Sequence, residues 1–155
     1  MSKTVSASRL AITDDHQDLA EAAIGQLTRL KALAKARQTL EGGSTHPSDI
    51  WSAATDLGWT GLAISEEFGG SGFGLAELAV VLESQGLQVC PGPFLASVSA
   101  SVVIDRCAPD SVRAELLPGL ASGDTVAALG VSGPISVGSD LVVTGESPAV
   151  LGAPD

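Results

Sequence analysis

Residues 58–86 have the sequence GWTGLAISEEFGGSGFGLAELAVVLESQG, and this segment decides how the fold is interpreted. A short apolar run ends at two carboxylates, Glu66 and Glu67. Four glycines then fall between Gly69 and Gly74, and an apolar pattern with helical spacing follows them. A glycine-rich loop ahead of a helix is typical of phosphate-binding sites. Glycines also allow positive φ and close backbone approach, so the same loop suits a sharp corner between packed helices.

The residues around this loop argue against phosphate binding. A P-loop needs a lysine and then a serine or threonine after its last glycine, whereas Leu-Ala-Glu follows Gly74. A dinucleotide fingerprint needs a preceding strand, whereas a helical pattern and the short run LAI come before this loop. Glu66 and Glu67 would also repel a phosphate, and nothing nearby suggests that they act as general acid and base. We therefore predict a surface corner without bound phosphate, in which at least one glycine has positive φ.

Apolar residues at three- and four-residue steps predict a mainly α chain. The predicted helices run from Asp18 to Leu40, from a cap at Ser48 or Asp49 to Leu57, from about Leu75 to Gln85, from about Phe94 to Arg106, and over PDSVRAELL, capped by Asp110 and broken at Pro118-Gly119. After Gly123, TVAALGV (125–131) and DLVVTGE (140–146) are short apolar runs typical of strands. We therefore predict a helical N-terminal domain over residues 1–123 and the truncated beginning of a β domain over residues 124–155.

Composition narrows the class of protein. With 155 residues, of which 45% are hydrophobic and 3% aromatic, the chain can bury a core of Leu, Val, Ile and Ala. A net charge of −10 disfavours nucleic acids and anionic membranes as partners. No apolar run reaches the roughly 20 residues of a membrane helix, and the N-terminus lacks a signal-peptide core. We expect a cytoplasmic protein in which Cys90 and Cys107 are free thiols rather than a disulfide.

The order of the motifs strongly resembles the N-terminal domain of acyl-CoA dehydrogenases. In that family a helix ending in LGW leads to PEE-x-GG-x-G and then to the next helix. Here LGW occupies residues 57–59, and Ser65 stands where proline is usual. The residues that match the second motif are Glu66, Glu67, Gly69, Gly70 and Gly72. The later LLPGLASGDTVAALGV, residues 116–131, resembles the family's passage from its last N-terminal helix into its first strand.

The resemblance implies an enzyme of acyl-CoA oxidation. Family members bind FAD non-covalently and oxidise an acyl-CoA to its trans-2-enoyl product. The acyl group is a fatty acid or a steroid side chain. A glutamate base removes the C2 proton and the C3 hydride goes to the flavin. The base belongs to a C-terminal helical bundle that follows the β domain, and a neighbouring subunit completes much of the flavin site. We therefore expect a piece of a longer, homo- or hetero-oligomeric protein, with no catalytic residue in this chain and no FAD retained by it alone.

The flavin loop departs from the family pattern. The family usually carries TEP-x-x-GSD after the first strand; its threonine and nearby backbone contact the flavin, and its serine helps to hold CoA. Residues 131–140 here are VSGPISVGSD. One alignment needs an extra residue and puts Gly133 in place of the glutamate. The cofactor-binding residues that it implies are Val131, Ser132 and Ser139.

A second alignment of the same segment remains open. Glycine, serine and aspartate are common in turns, so Gly138-Ser139-Asp140 can form a turn that leads directly into the next predicted strand. The flavin loop is then shortened and its contacts are degenerate. Some family members form hetero-oligomers in which one subunit type has such a defective flavin site. The alternative function is therefore a non-catalytic partner subunit of a heteromeric acyl-CoA dehydrogenase, and a third interpretation is an unrelated helical binding module.

A second group of candidate residues lies on the fourth predicted helix. Phe94, Ser97 and Ser101 fall on one helical face, and the resemblance implies that this helix forms a wall of the acyl pocket. Plain helix packing explains the pattern equally well. His16 and His46 each sit beside helix-start signals, so we predict that both are solvated. Neither has a neighbour at the spacing of a zinc site, so we predict that no metal is bound. Trp51 and Trp59 are predicted to pack in the core or at an interface.

Overall fold

The computed structural model of the chain describes residues 10, 13–148, 150 and 152. Within these residues the predicted mainly α fold is confirmed, with helices and one small sheet. The helices are α1 (Asp14–Arg29), α2 (Ala32–Leu40), α3 (Ser48–Asp56), α4 (Leu75–Leu87), α5 (Phe94–Cys107) and α6 (Asp110–Ser122), and a 3-10 turn covers Glu66–Phe68. The strands are β1 (Ile135–Val137) and β2 (Val143–Gly145).

The long helix predicted from Asp18 to Leu40 is two helices. Lys31 takes the left-handed conformation, with φ 56° and ψ 42°, and this residue separates α1 from α2. The first helix also begins earlier than predicted, because the Thr13 side chain accepts a hydrogen bond from the backbone N–H of His16 and caps the helix. The spacing of apolar residues continues across Lys31. The sequence pattern alone therefore does not show the break between the two helices.

Two packed helix pairs form the core. Helix α1 packs on α4, and α5 packs on α6. The larger apolar cluster draws on most of the helices and on the segment after α3; its buried members are Ala23, Leu27, Ala32, Ile50, Ala54, Trp59, Leu62, Leu78, Val81, Phe94 and Val98. A second cluster, of Ile64, Leu117, Leu120 and Ala121, joins the segment before the glycine corner to α6. Both clusters are aliphatic with few aromatic rings, as composition predicts.

Helix α6 continues through the predicted break. Pro118 lies inside the helix, which ends at Ser122 and is followed by Gly123 with φ 79°. A proline inside a helix removes one backbone hydrogen bond. Leu117 and Leu120 on either side of Pro118 are at most 2% exposed, so their burial offsets that loss. The indole N–H of Trp51 also donates to the Gly123 carbonyl over 2.9 Å and fixes the end of α6 to α3.

The sheet is a two-stranded antiparallel hairpin that pairs Ile135 with Gly145 and Val137 with Val143. Both strands are exposed. The prediction of a strand over residues 125–131 is wrong, since none of these residues belongs to a strand in the structure. Of the strand predicted over residues 140–146, only the second half forms a strand, as β2. The division at 123/124 stays a prediction, with α6 ending one residue before it.

Two smaller expectations concern membranes and cysteines. Over the residues that the structure describes, no helix has both the length and the apolar character to cross a membrane. Cys90 and Cys107 are free, as predicted, with Cys90 partly buried and Cys107 exposed.

Candidate functional site

The glycine loop is a hydrogen-bonded corner. Gly69 and Gly72 have φ of 85° and 67°, which confirms the predicted positive φ. All six backbone N–H groups from Gly69 to Gly74 donate within the chain: to the carbonyl oxygens of Glu66, Ser65, Gly61, Ile64 and Leu62 in turn, and finally to the Glu77 carboxylate. A phosphate cradle needs free amides that point at the ligand. The absence of a bound phosphate stays a prediction, and this bonding supports it.

A polar network that sequence reasoning missed ties the corner to α5 and α6. The Ser65 hydroxyl donates to both carboxylate oxygens of Asp105, each over 3.0 Å. Arg113 of α6 donates to Asp105 and to Glu67, both over 3.3 Å, and its guanidinium lies 4.8 Å from the Phe68 ring centroid. Glu67 thus pairs with a basic group. Nothing in the periodic pattern places Asp105 or Arg113 against the corner, because both lie far from it in sequence.

His16 is buried, so the prediction that it is solvated is wrong. It is 8% exposed, and its Nε2 lies 3.1 Å from a carboxylate oxygen of Glu77 on α4. The hydrogen bond from His16 is the main cause that holds the pKa of Glu77 below its ordinary value, and the N–H of Gly74 contributes. The helical pattern places His16 on the buried side of α1, two turns before Ala23. His46 is exposed.

The α5 residues are enclosed by their own domain. Phe94 belongs to the larger apolar cluster, and Ser97 and Ser101 are each 2% exposed. The Ser101 hydroxyl donates to the Ser97 carbonyl over 2.9 Å, and the Ser97 hydroxyl accepts a 3.4 Å hydrogen bond from the Ala127 N–H. These contacts are those of helix packing, the alternative left open above. The acyl-pocket role of the three residues stays a prediction. Trp59 is 5% exposed, and Trp51 packs against the same cluster, in agreement with their predicted packing role.

Of the candidate flavin residues, Val131 and Ser132 precede the exposed hairpin and Ser139 lies in its turn. Val131 is 85% exposed, and Ser132 precedes β1 with its carbonyl accepting from the Ser147 hydroxyl over 3.4 Å. Ser139 falls in the turn between β1 and β2. There the Gly138 N–H donates to the Val142 carbonyl over 2.9 Å. The structure therefore places Val131 and Ser132 before the first strand and Ser139 at the opposite end of that strand.

FAD fits these residues only in part. Val131 and Ser132 are exposed residues, so both are accessible to the edge of a flat ring. Gly133 does not fit the family pattern. It has φ 128°, and a Cβ there would overlap the carbonyl oxygen of Glu146, so the glutamate that is usual in the family cannot replace it in this backbone. Over the described residues, no group of three or more His, Cys, Asp or Glu side chains is placed to hold a metal.

Comparison with known proteins decides the family. The model of the acyl-CoA dehydrogenase N-terminal domain matches residues 13–124, which include all six helices. The chain belongs to the acyl-CoA dehydrogenase family. It is similar to the acyl-CoA dehydrogenase FadE12 of Mycobacterium tuberculosis, at 32% identity over 57% of this chain and 24% of that protein. It is also similar to the acyl-CoA dehydrogenase IpdE2 of the same species, at 28% identity over 75% of this chain and 36% of that protein.

Solved acyl-CoA dehydrogenase structures share the fold. A variant of the Tcur3481-Tcur3483 steroid ACAD superposes with a TM-score of 0.68 and 27% identity, over 76% of this chain and 32% of that one. An acyl-CoA dehydrogenase from Bacillus anthracis complexed with FAD superposes with a TM-score of 0.64 over 92% of this chain and 27% of that one; at 21% identity it supports the fold alone. The chain spans about a quarter to a third of the length of the relatives it matches.

Proposed function

We propose that this chain is the N-terminal portion of an FAD-dependent acyl-CoA dehydrogenase that forms a trans-2-enoyl-CoA from an acyl-CoA of fatty acid or steroid side-chain type. The observation that carries the proposal is that the family match covers the residues that fold into the six helices. The proposal includes a cytoplasmic location and assembly into a homo- or hetero-oligomer. The name of one structural neighbour, a steroid ACAD, supports the wider substrate range.

The chain's own contribution to such an enzyme is a scaffold with one exposed edge. FAD, when bound, supplies a two-electron acceptor. Val131 and Ser132 would meet it at the ring edge through a backbone group and a hydroxyl, and Ser139 would lie toward CoA. Phe94, Ser97 and Ser101 would hold the α5 wall of the acyl pocket in place. The bonded corner fixes the segment before α4 to α5 and α6.

The test uses the gene product that carries these residues at its full length. We expect it to retain FAD and to reduce an electron-accepting dye in the presence of an acyl-CoA. Ser132→Ala should weaken FAD retention by roughly 2- to 12-fold, which corresponds to one hydrogen bond of about 0.5–1.5 kcal/mol. Ser136→Ala is the matched control, because that hydroxyl is bonded to the Thr144 hydroxyl across the hairpin. Equal FAD retention in parent and Ser132→Ala would contradict the assignment of Ser132.

The hairpin supports a second candidate function, a non-catalytic partner subunit with a degenerate flavin site. Two observations favour it: Gly138-Ser139-Asp140 forms a turn between paired strands, and the Gly133 backbone excludes a side chain. This candidate predicts that the gene product purified alone is free of flavin. Dye reduction should then appear only when it is co-expressed with a flavin-binding acyl-CoA dehydrogenase, and native mass spectrometry should show both subunits with FAD at fewer than one per chain.

A further inference from the structure

A cleft of about 320 Å³ lies between the end of α4 and the beginning of α5. Its walls are mostly apolar: Leu82 from α4, Val89 and Cys90 from the connection, and Leu95 from α5. No charged side chain is among the described residues that line it. The volume is at the small end of the range of ligand pockets. An uncharged group of moderate size therefore suits this cleft.

Gln85 supplies the polar group of the cleft. It is 8% exposed, and its side-chain amide makes no hydrogen bond within the described part of the chain. Among the described residues, the polar side-chain atoms that are fully enclosed without a partner belong to His16 and Arg113. The Gln85 amide is thus not sealed in protein but reaches open space. Gln85 and Gly92 also line a void of about 10 Å³ beside Trp59, which is at the lower limit for one water molecule.

The connection that closes the cleft is held in an unusual backbone conformation. Val89 has φ 47°, which is strained for a β-branched residue, and Gly92 has φ 125°. The Cys90 N–H donates to the Gln85 carbonyl over 2.9 Å and fixes this conformation to α4. Burial raises the pKa of the Cys90 thiol to about 11, so this wall is neutral at pH 7. Strained residues of this kind are found at ligand clamps.

We infer that the cleft between α4 and α5 binds an uncharged apolar group that carries an oxygen function, with the side-chain amide of Gln85 as the hydrogen-bond partner of that oxygen. A glutamine amide both donates and accepts, so it suits a keto or a hydroxyl oxygen. The next step rests on the proposed function. The bound group is then a part of the acyl moiety, and Gln85 selects oxygenated acyl groups over plain hydrocarbon chains.

The experiment compares two probes of nearly equal shape on this chain: cyclohexanone and methylenecyclohexane, in which a CH2 group replaces the oxygen. Binding is followed by the nuclear magnetic resonance signals of the Gln85 side-chain amide and of the Val89–Gly92 backbone. We expect cyclohexanone to shift these signals saturably and to bind roughly 2- to 12-fold more tightly, the worth of one hydrogen bond. Equal affinity for the two probes, or shifts confined to other residues, would overturn the inference.

Variants separate the amide from its surroundings. Gln85→Met keeps the volume and removes the amide, so the preference for cyclohexanone should disappear. Gln88→Met is the matched control, since Gln88 is not among the described lining residues, and it should keep the preference. The comparison of the two probes on the parent needs no variant and decides the matter if Gln85→Met fails to fold. Probe binding requires no flavin. A protein without dehydrogenase activity can therefore still prefer cyclohexanone, so the failure of one proposal can be distinguished from the failure of the other.

Discussion

Gly70 is the residue at which the corner is most tightly packed. A Cβ there would overlap the carbonyl oxygen of Ile64, whereas a Cβ at Gly25 in α1 would meet nothing within 4 Å. Gly70→Ala should therefore lower the free energy of unfolding by about 2–3 kcal/mol. Gly25→Ala should raise it by about 0.5–1 kcal/mol, because alanine is the better helix former. Urea unfolding followed by circular dichroism measures both, and an unchanged midpoint in Gly70→Ala would refute the packing described for the corner.

Glu77 makes the stability of the α1–α4 contact depend on pH. Its pKa is lowered in the folded chain, chiefly by the hydrogen bond from His16. A lowered folded pKa means that the carboxylate stabilises the fold above its unfolded pKa of about 4.3, and that this contribution is lost as the pH falls below that value. Glu77→Gln should cost about 1 kcal/mol at neutral pH and almost nothing near about pH 3.

The control for Glu77 is Glu21→Gln, which changes an exposed glutamate on α1. Urea unfolding of the parent and both variants across the acid range gives the difference directly. A Glu77→Gln penalty that stays constant with pH would show that the lost interaction does not depend on the carboxylate charge.

At the scale of elements, the network at Asp105 joins the glycine corner to α5 and α6. Asp105→Ala removes the acceptor of the Ser65 hydroxyl and of Arg113. It should lower the free energy of unfolding by about 2 kcal/mol. Asp110→Ala removes another carboxylate that bonds the same arginine, but one whose side chain is 96% exposed, and it should cost at most about 0.5–1 kcal/mol. Equal losses in the two variants would contradict a structural role for the network.

Helix content was predictable because apolar spacing is a local signal. The predicted caps were wrong, since Pro47 and Pro109 precede α3 and α6 and neither helix has a side-chain cap hydrogen bond. The boundaries of α3, α4 and α5 follow the pattern to within a few residues. The break at Lys31 was not predictable, since the apolar stripe continues through it and the residue has no intrinsic preference for the left-handed region. Continuation of α6 through Pro118 depends on the burial of Leu117 and Leu120, and burial is decided by distant segments.

For the whole molecule, we predict that these 155 residues alone neither retain FAD nor oxidise an acyl-CoA. The described hairpin offers an exposed backbone and a hydroxyl at one edge of a flat ring, with no wall over its faces. An apolar ring left largely in water gains little of the roughly 25 cal/mol per Å² that burial provides. The chain should be mixed with excess FAD, freed of unbound flavin, and examined by visible absorption. A stoichiometric yellow protein would contradict this prediction.

The candidate site was less predictable than the fold. The motif around Glu66 and Gly72 identified the family through its spacing. The contacts of His16 and Arg113 join residues far apart in sequence, so no local pattern contains them. The flavin segment allowed two alignments, and pairing of Ile135 with Gly145 favours the turn between strands only once the partner strand is known.

The positions of the two tryptophans give the molecule an internal optical reporter. The chain has no tyrosine, so its intrinsic fluorescence arises almost entirely from Trp51 and Trp59. Both rings pack on the larger apolar cluster, and the Trp51 indole also holds the end of α6. Emission therefore follows the opening of the helical core, whereas the exposed hairpin can separate without changing it. Hydrogen exchange of the strand amides reports opening of the hairpin, and the fluorescence transition reports opening of the core. The difference between the two would measure how loosely the hairpin is attached to the helices.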